Sequence, residues 1–185
     1  MRRGFKTWAE NLALEQRRNL SLRDVSSLPA RVLADHLEIT IIAPNGIPDI
    51  PQNILVQLHN ADHESWSAIT LERNNCTLII HNQTHSPRRQ ESDIMHELAH
   101  ILCNHQPSQL VKLDYFPIPF RSYNPIQEEE ASWLGGCLQL PRAALLWAIH
   151  RGMNNEAIAQ HFGSSCDLVR FRRQVTGVDK QIYHR

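Results

Sequence analysis

The feature that most limits how this chain can fold is the pentapeptide His96-Glu97-Leu98-Ala99-His100. Residues four apart in an α-helix lie on one face a single turn apart, so a helix here brings both imidazoles within reach of one metal ion. Glu97, one step further round, can then reach a metal-bound water, which is the ligand spacing of a metal-dependent hydrolase helix. With eleven histidines and eleven glutamates in 185 residues, the pattern His-Glu-x-x-His also arises by chance, and its surroundings have to decide. They favour a buried helix: Ser92 or Asp93 can cap it, and Ile94, Met95, Leu98, Ile101 and Leu102 give it apolar surfaces.

Upstream, Trp8, Leu12 and Ala13 recur at helical spacing between Thr7 and Asn19. Ser27-Leu28-Pro29 is a start signal for a helix through Leu37. The β-branched run Ile39 to Ile42 predicts a strand ended by Pro44-Asn45-Gly46, with a loop continuing to Pro51. Ser67 to Leu71 and Thr77 to His81 read as two short strands joined by Glu72-Arg73-Asn74-Asn75, most simply a hairpin. His81 to Arg89 is polar and reads as a loop.

Downstream, Asn104 to Asn124 holds Pro107, Pro117 and Pro119 and reads as a long irregular connection. Helices are predicted from Ile126 to Leu140, stopped by Pro141, and from Arg142 to His150. A compact pair follows: Asn154 or Asn155 caps a helix through Phe162, Gly163 closes it, Ser164 or Ser165 caps the next, and Gly177 closes that. The expected fold class is α+β, mostly helical, with a small sheet that contains an antiparallel pair and a helix-turn-helix-like C-terminal pair.

A catalytic zinc keeps three protein ligands and an open fourth position, so the two histidines need one more donor. The acidic start of the second helix, Glu128-Glu129-Glu130, is the best source. On that helix Glu128, Ala131, Gly135 and Leu138 form one stripe, while Glu129 and Glu130 point roughly 100° and 200° away and are expected to be dispensable for a metal. Gly135 and Gly136 each cost a helix about 1 kcal/mol against alanine, which makes sense where another backbone approaches closely; the metal helix is the expected neighbour.

Together these residues resemble the ImmA/IrrE metallopeptidases, which carry HELGH-like helices followed by Glu-x-x-Ala-Asn-x-Phe-Ala-x-x-Leu-x-x-Pro. Glu128, Ala131, Ser132, Leu134, Gly135, Leu138 and Pro141 fall at matching positions without a gap. The likeness is good from Ile79 to Pro141, loose in the tail, and limited to element order from Met1 to Asn75. It implies a zincin-like, gluzincin-like domain over residues 1–150 with a helical extension, 151–185, packed on it. It further implies that His96, His100 and Glu128 bind Zn2+, that Glu97 is the general base, and that the substrate is a regulatory protein such as a DNA-binding repressor. Two positions depart from the pattern: Ala99 replaces the usual glycine, and Ser132 stands where Asn or Asp usually supports a ligand histidine, which points to weaker or water-mediated support.

A second reading is a metal-bound regulator that binds a protein partner or DNA without cutting. Arg170, Arg172 and Arg173 lie on the would-be recognition helix, where they could meet phosphates. Against DNA binding, nineteen basic residues balance nineteen acidic ones, and three arginines make a small footprint, so the tail also reads as a helical hairpin that closes the domain. No apolar run approaches the roughly 20 residues of a membrane span, and Met1 to Phe5 leads into charge rather than a signal core, so a cytoplasmic protein is expected. Cys76, Cys103, Cys137 and Cys166 lack paired spacing and read as reduced thiols, most of them buried. His105, Tyr115, Tyr123 and His150 are candidate oxyanion stabilisers. Arg88 and Arg89 read as partners of a carboxylate, and Trp133 and Trp147 as core.

Overall fold

A computed structural model describes residues 1–56, 58, 66–73, 76–105 and 124–182. Residues 106–123, most of the expected irregular connection, lie outside these, and so do Tyr115 and Tyr123. In chain order the elements are α1 (Phe5–Asn19), α2 (Ala30–His36), β1 (Thr40–Ile42), a 3₁₀ turn (Pro44–Gly46), α3 (Gln52–Val56), β2 (Ala68–Arg73), β3 (Cys76–His81), α4 (Pro87–Leu102), α5 (Pro125–Gln139), α6 (Arg142–His150), α7 (Asn155–Phe162), α8 (Cys166–Thr176) and α9 (Val178–Ile182). The class is α+β, as the sequence predicts. No described helix is long and apolar enough to cross a membrane.

The expected hairpin forms: β2 and β3 pair antiparallel from Ala68↔His81 to Arg73↔Cys76. β1 joins the other side of β3 in parallel, Thr40↔Leu78 to Ile42↔Ile80, so the order is β1-β3-β2 and the sheet is mixed. A parallel neighbour requires a crossover connection, which here includes α3 and β2. The sheet and α2 pack on α4, α4 packs on α5, and α1 covers α5. Leu33, Ile79, Ile94, Met95, Leu98, Leu134 and Leu138 fill the shared core, each burial contributing about 1.5–3 kcal/mol.

Several helix boundaries and faces differ from expectation. α4 starts at Pro87 after Ser86, not at Ser92 or Asp93. Proline is pre-organised for the first helical position, where its missing N–H costs nothing, and the two polar residues have other partners: Ser92 Oγ bonds the Gln139 side chain at 3.3 Å, and Asp93 lies 2.7 Å from His85 Nδ1. Arg88 and Arg89 therefore sit exposed in the first turn of α4. α1 begins at Phe5 and buries Phe5, Ala9, Ala13, Gln16 and Arg17, leaving Trp8 37% exposed with the Arg2 guanidinium 5.0 Å above its ring. Residues 44–51, expected as a loop, include the 3₁₀ turn.

The C-terminal caps match the sequence. Asn154 Oδ1 accepts from Ala157 N–H at 2.9 Å and Ser165 Oγ from Leu168 N–H at 3.0 Å, while Gly163 and Gly177 close their helices at φ +67° and +62°, a region glycine enters without penalty. Apolar side chains of α6 to α9, among them Leu145, Ala148, Ile158, Phe162, Val169 and Val178, form a second cluster that begins at Leu140.

The three arginines of α8 do not make a phosphate-facing surface. Arg172 is fully buried, its Nε donating to Leu140 O at 3.0 Å and its Nη2 to the Glu10 carboxylate. Arg173 is paired with Asp179 and Asn155, both at 2.6 Å. Only Arg170 is exposed, and it pairs with Asp167 one turn earlier. A buried guanidinium is tolerated where carbonyls and a carboxylate meet it, and Arg172 thus ties α8 to α1 and to the end of α5. Neither tryptophan expected in the core is fully buried: Trp133 lies 4.0 Å from Lys6 Nζ and Trp147 lies 4.5 Å from the Arg151 guanidinium, each offering a ring face to a cation. Cys103 and Cys137 are buried and Cys166 partly so, but Cys76 is exposed. Burial pushes the Cys103 and Cys137 thiols up to about 12, so both stay protonated and unreactive.

Candidate metal centre

Helical spacing stacks His96 and His100 on one face of α4, their rings 4.8 Å apart and inclined at 71°. α5 supplies a carboxylate to the same place. Asn124 caps it, its side-chain oxygen accepting from Ile126 N–H at 3.0 Å, and Pro125 opens it. Gly135 faces α4 closely: a Cβ there would lie 3.5 Å from Met95 O and 3.6 Å from the His96 backbone, in van der Waals contact with the metal helix. Ala131 and Glu128 lie one and two turns back along that stripe, which brings Glu128 over the histidines. Gly136 has another role, since its Cβ would meet Arg172 and Leu168 of α8 at 3.3 and 3.4 Å, not the metal helix.

His96 Nε2 lies 3.1 Å from Glu128 Oε2 and 3.1 Å from His100 Nε2, and His100 Nε2 lies 3.4 Å from Glu128 Oε1. Tetrahedral zinc with bonds of about 2.0–2.2 Å spaces its ligand atoms about 3.2–3.6 Å apart, so the donor set fits such an ion. With both Nε2 lone pairs turned inward, two imidazole nitrogens and a carboxylate make an electron-rich pocket that a cation would complement. Among the described residues this is the one group of three His, Cys, Asp or Glu side chains that converges in this way.

Glu97 points from the adjacent face of α4 toward the sheet, where the buried Thr70 hydroxyl of β2 donates to its Oε2 at 2.5 Å. Nothing local in the sequence marks Thr70, a strand threonine, as the partner of a helix carboxylate 27 residues on.

The remaining expected residues separate. Ser132 is exposed, and among the described residues no hydrogen bond joins it to either histidine. Glu129 is exposed and meets the amino group of Met1 at 2.9 Å. Glu130 is buried: its Oε1 accepts from Arg2 N–H at 2.9 Å and its Oε2 lies 3.3 Å from His105 Nε2. Burial pushes the Glu130 carboxyl up, yet the Arg2 N–H, the His105 ring and the Arg2 guanidinium together hold it below the usual carboxylate range. His105 lies behind His100, ring nitrogen to ring nitrogen on the Nδ1 side. His150 is exposed at the end of α6.

The family model described as Peptidase_M78, IrrE N-terminal-like domain, matches residues 52–173, more than half of the chain and all of the site. No curated protein matches the chain. Among solved structures, a chain described as a Mycobacterium tuberculosis transcriptional regulator superposes with a TM-score of 0.49 at 14% identity, covering 91% of this chain. This chain spans 46% of that protein's length.

Proposed function

Because the chain belongs to the family of the IrrE N-terminal-like domain, Peptidase_M78, we propose that it is a zinc-dependent endopeptidase that cleaves a regulatory protein, in the first instance a DNA-binding repressor. The observation that carries this reading is the convergence of His96, His100 and Glu128 beside Glu97. In this reading residues 1–150 hold the peptidase machinery and 151–185 are a helical extension packed on it. A repressor substrate puts the reaction in the cytoplasm.

His96, His100 and Glu128 would hold the ion, which when bound supplies Lewis acidity to polarise a carbonyl and to make water a nucleophile near neutral pH. Glu97 takes the proton of the attacking water and returns it to the departing amine. The Thr70 hydroxyl fixes the carboxylate's orientation by donating to one oxygen, so that proton transfer needs no search among rotamers.

The test is metal-dependent cleavage in a native extract. Zinc-loaded protein is expected to create a small set of new protein N-termini, which disappear when a chelator strips the metal and return when zinc is restored. A fully zinc-loaded protein that creates none supports a regulator that binds without cutting.

A further inference from the structure

We infer that His105 and Glu130 are positioning residues for His100, forming a carboxylate–imidazole–imidazole relay that holds His100 in the Nδ1–H tautomer with its Nε2 lone pair aimed at His96 and Glu128. The inference rests on the metal-centre reading and adds to it the part of the protein that prepares one ligand.

The relay begins in the way α4 ends. Asn104 sits at φ +54°, its N–H bonds Ile101 O at 2.9 Å, and His105 N–H bonds His100 O at 3.1 Å. This is a Schellman closure with asparagine in the left-handed position that glycine usually takes. It clips the His105 backbone to the carbonyl of His100 itself and folds the second ring back beneath the first. The rings lie 5.0 Å apart, inclined at 70°, with the two Nδ1 atoms 3.0 Å apart. On its far side His105 Nε2 reaches Glu130 Oε2 at 3.3 Å, and α5 and the Arg2 N–H hold Glu130 in place. The side chains of His100, His105 and Glu130 are 3%, 7% and 7% exposed, so solvent does not compete for these contacts.

Proton counting gives the chain one direction. The Glu130 carboxylate only accepts, so His105 Nε2 carries the hydrogen. A neutral His105 then has its lone pair on Nδ1 and must accept from His100 Nδ1–H. A neutral His100 in turn has its lone pair on Nε2, the atom 3.1 Å from His96 Nε2 and 3.4 Å from Glu128. The opposite assignment sets a buried lone pair against a carboxylate, a contact with no hydrogen in it. Outer-shell partners of this kind fix a ligand's tautomer and orientation, and losing one costs about 10–100-fold in metal affinity or activity.

The test uses two variants and two readouts on the full chain. In metal-free wild type at mildly alkaline pH, long-range ¹H–¹⁵N spectra of the histidine rings are expected to show His100 as the Nδ1–H tautomer, and His105→Leu to lose that preference. In zinc titrations against a competing chelator, His105→Leu is expected to bind about 10–100-fold more weakly. His105→Asn, which places an acceptor oxygen near the lost Nδ1, is expected to recover most of the affinity and the tautomer. A packing role predicts the reverse, with leucine silent and asparagine the worse replacement. An Nε2–H tautomer in wild type, or a leucine variant within twofold of wild-type affinity, overturns the proposal. Wild type that shows the Nδ1–H tautomer but binds no zinc supports the relay and sinks the metal centre alone.

Discussion

Glu97→Gln is expected to bind zinc as wild type does and to lose peptide cleavage by about 100- to 10,000-fold, the usual worth of a positioned general base. Glutamine keeps the shape of the side chain and an oxygen able to accept from the Thr70 hydroxyl, which now donates at 2.5 Å. It cannot take a proton from water. The metal should be indifferent to the change, because Glu97 lies outside the group formed by His96, His100 and Glu128. Substrate binding should persist, so the variant is expected to hold its substrate uncut and to copurify with it. Cleavage within tenfold of wild type would show that another group takes the proton.

Glu128→Gln is expected to weaken zinc more than the roughly 10–100-fold that a lost outer-shell partner costs, since it removes the one carboxylate that, among the described residues, converges with the two histidines. Its neighbours offer an internal control. Glu129 is exposed with 57% of its side-chain surface in solvent, and Glu129→Gln should leave zinc affinity near wild type. Glu130→Gln should fall between the two, because an amide oxygen can still accept from His105 but lacks the charge that fixes the direction of the relay. Chelator competition on the three single variants reads the order directly. A dominant loss at Glu129 would mean that α5 presents a different face to α4.

What could be read in the sequence is what short-range geometry encodes. Two histidines one turn apart, a run of apolar residues around them, glycines closing α7 and α8, and Asn154 or Ser165 opening them act over a few residues, and periodicity and capping rules capture them. The stripe Glu128, Ala131, Gly135 was legible for the same reason, and its partner could be guessed because glycine inside a helix is costly unless another backbone comes close. The start of α4 differs from the local signal because Ser92 and Asp93 are good caps by local preference, yet Gln139 and His85 engage them from elsewhere in the fold. The parallel placement of β1 depends on a crossover, not on its own three residues. Thr70 beside Glu97, His105 against Glu130 and Arg172 turned inward to Glu10 join residues 27, 25 and 162 positions apart. No local pattern distinguishes these side chains from solvated ones. Only the Asn104-His105 pair carried a usable local sign, a left-handed helix end that turns the following side chain back under the helix.

If His96, His100 and Glu128 form one zinc site, metal content reads it without any substrate. Protein loaded with zinc, freed of loosely held ions and analysed for elements, is expected to carry about one zinc per chain, the content of a single catalytic site. Replacing both histidines with alanine should bring that value close to zero while Glu97→Gln leaves it near one. A wild-type value near zero, or one that survives the loss of both histidines, would show that these three residues do not form a zinc site.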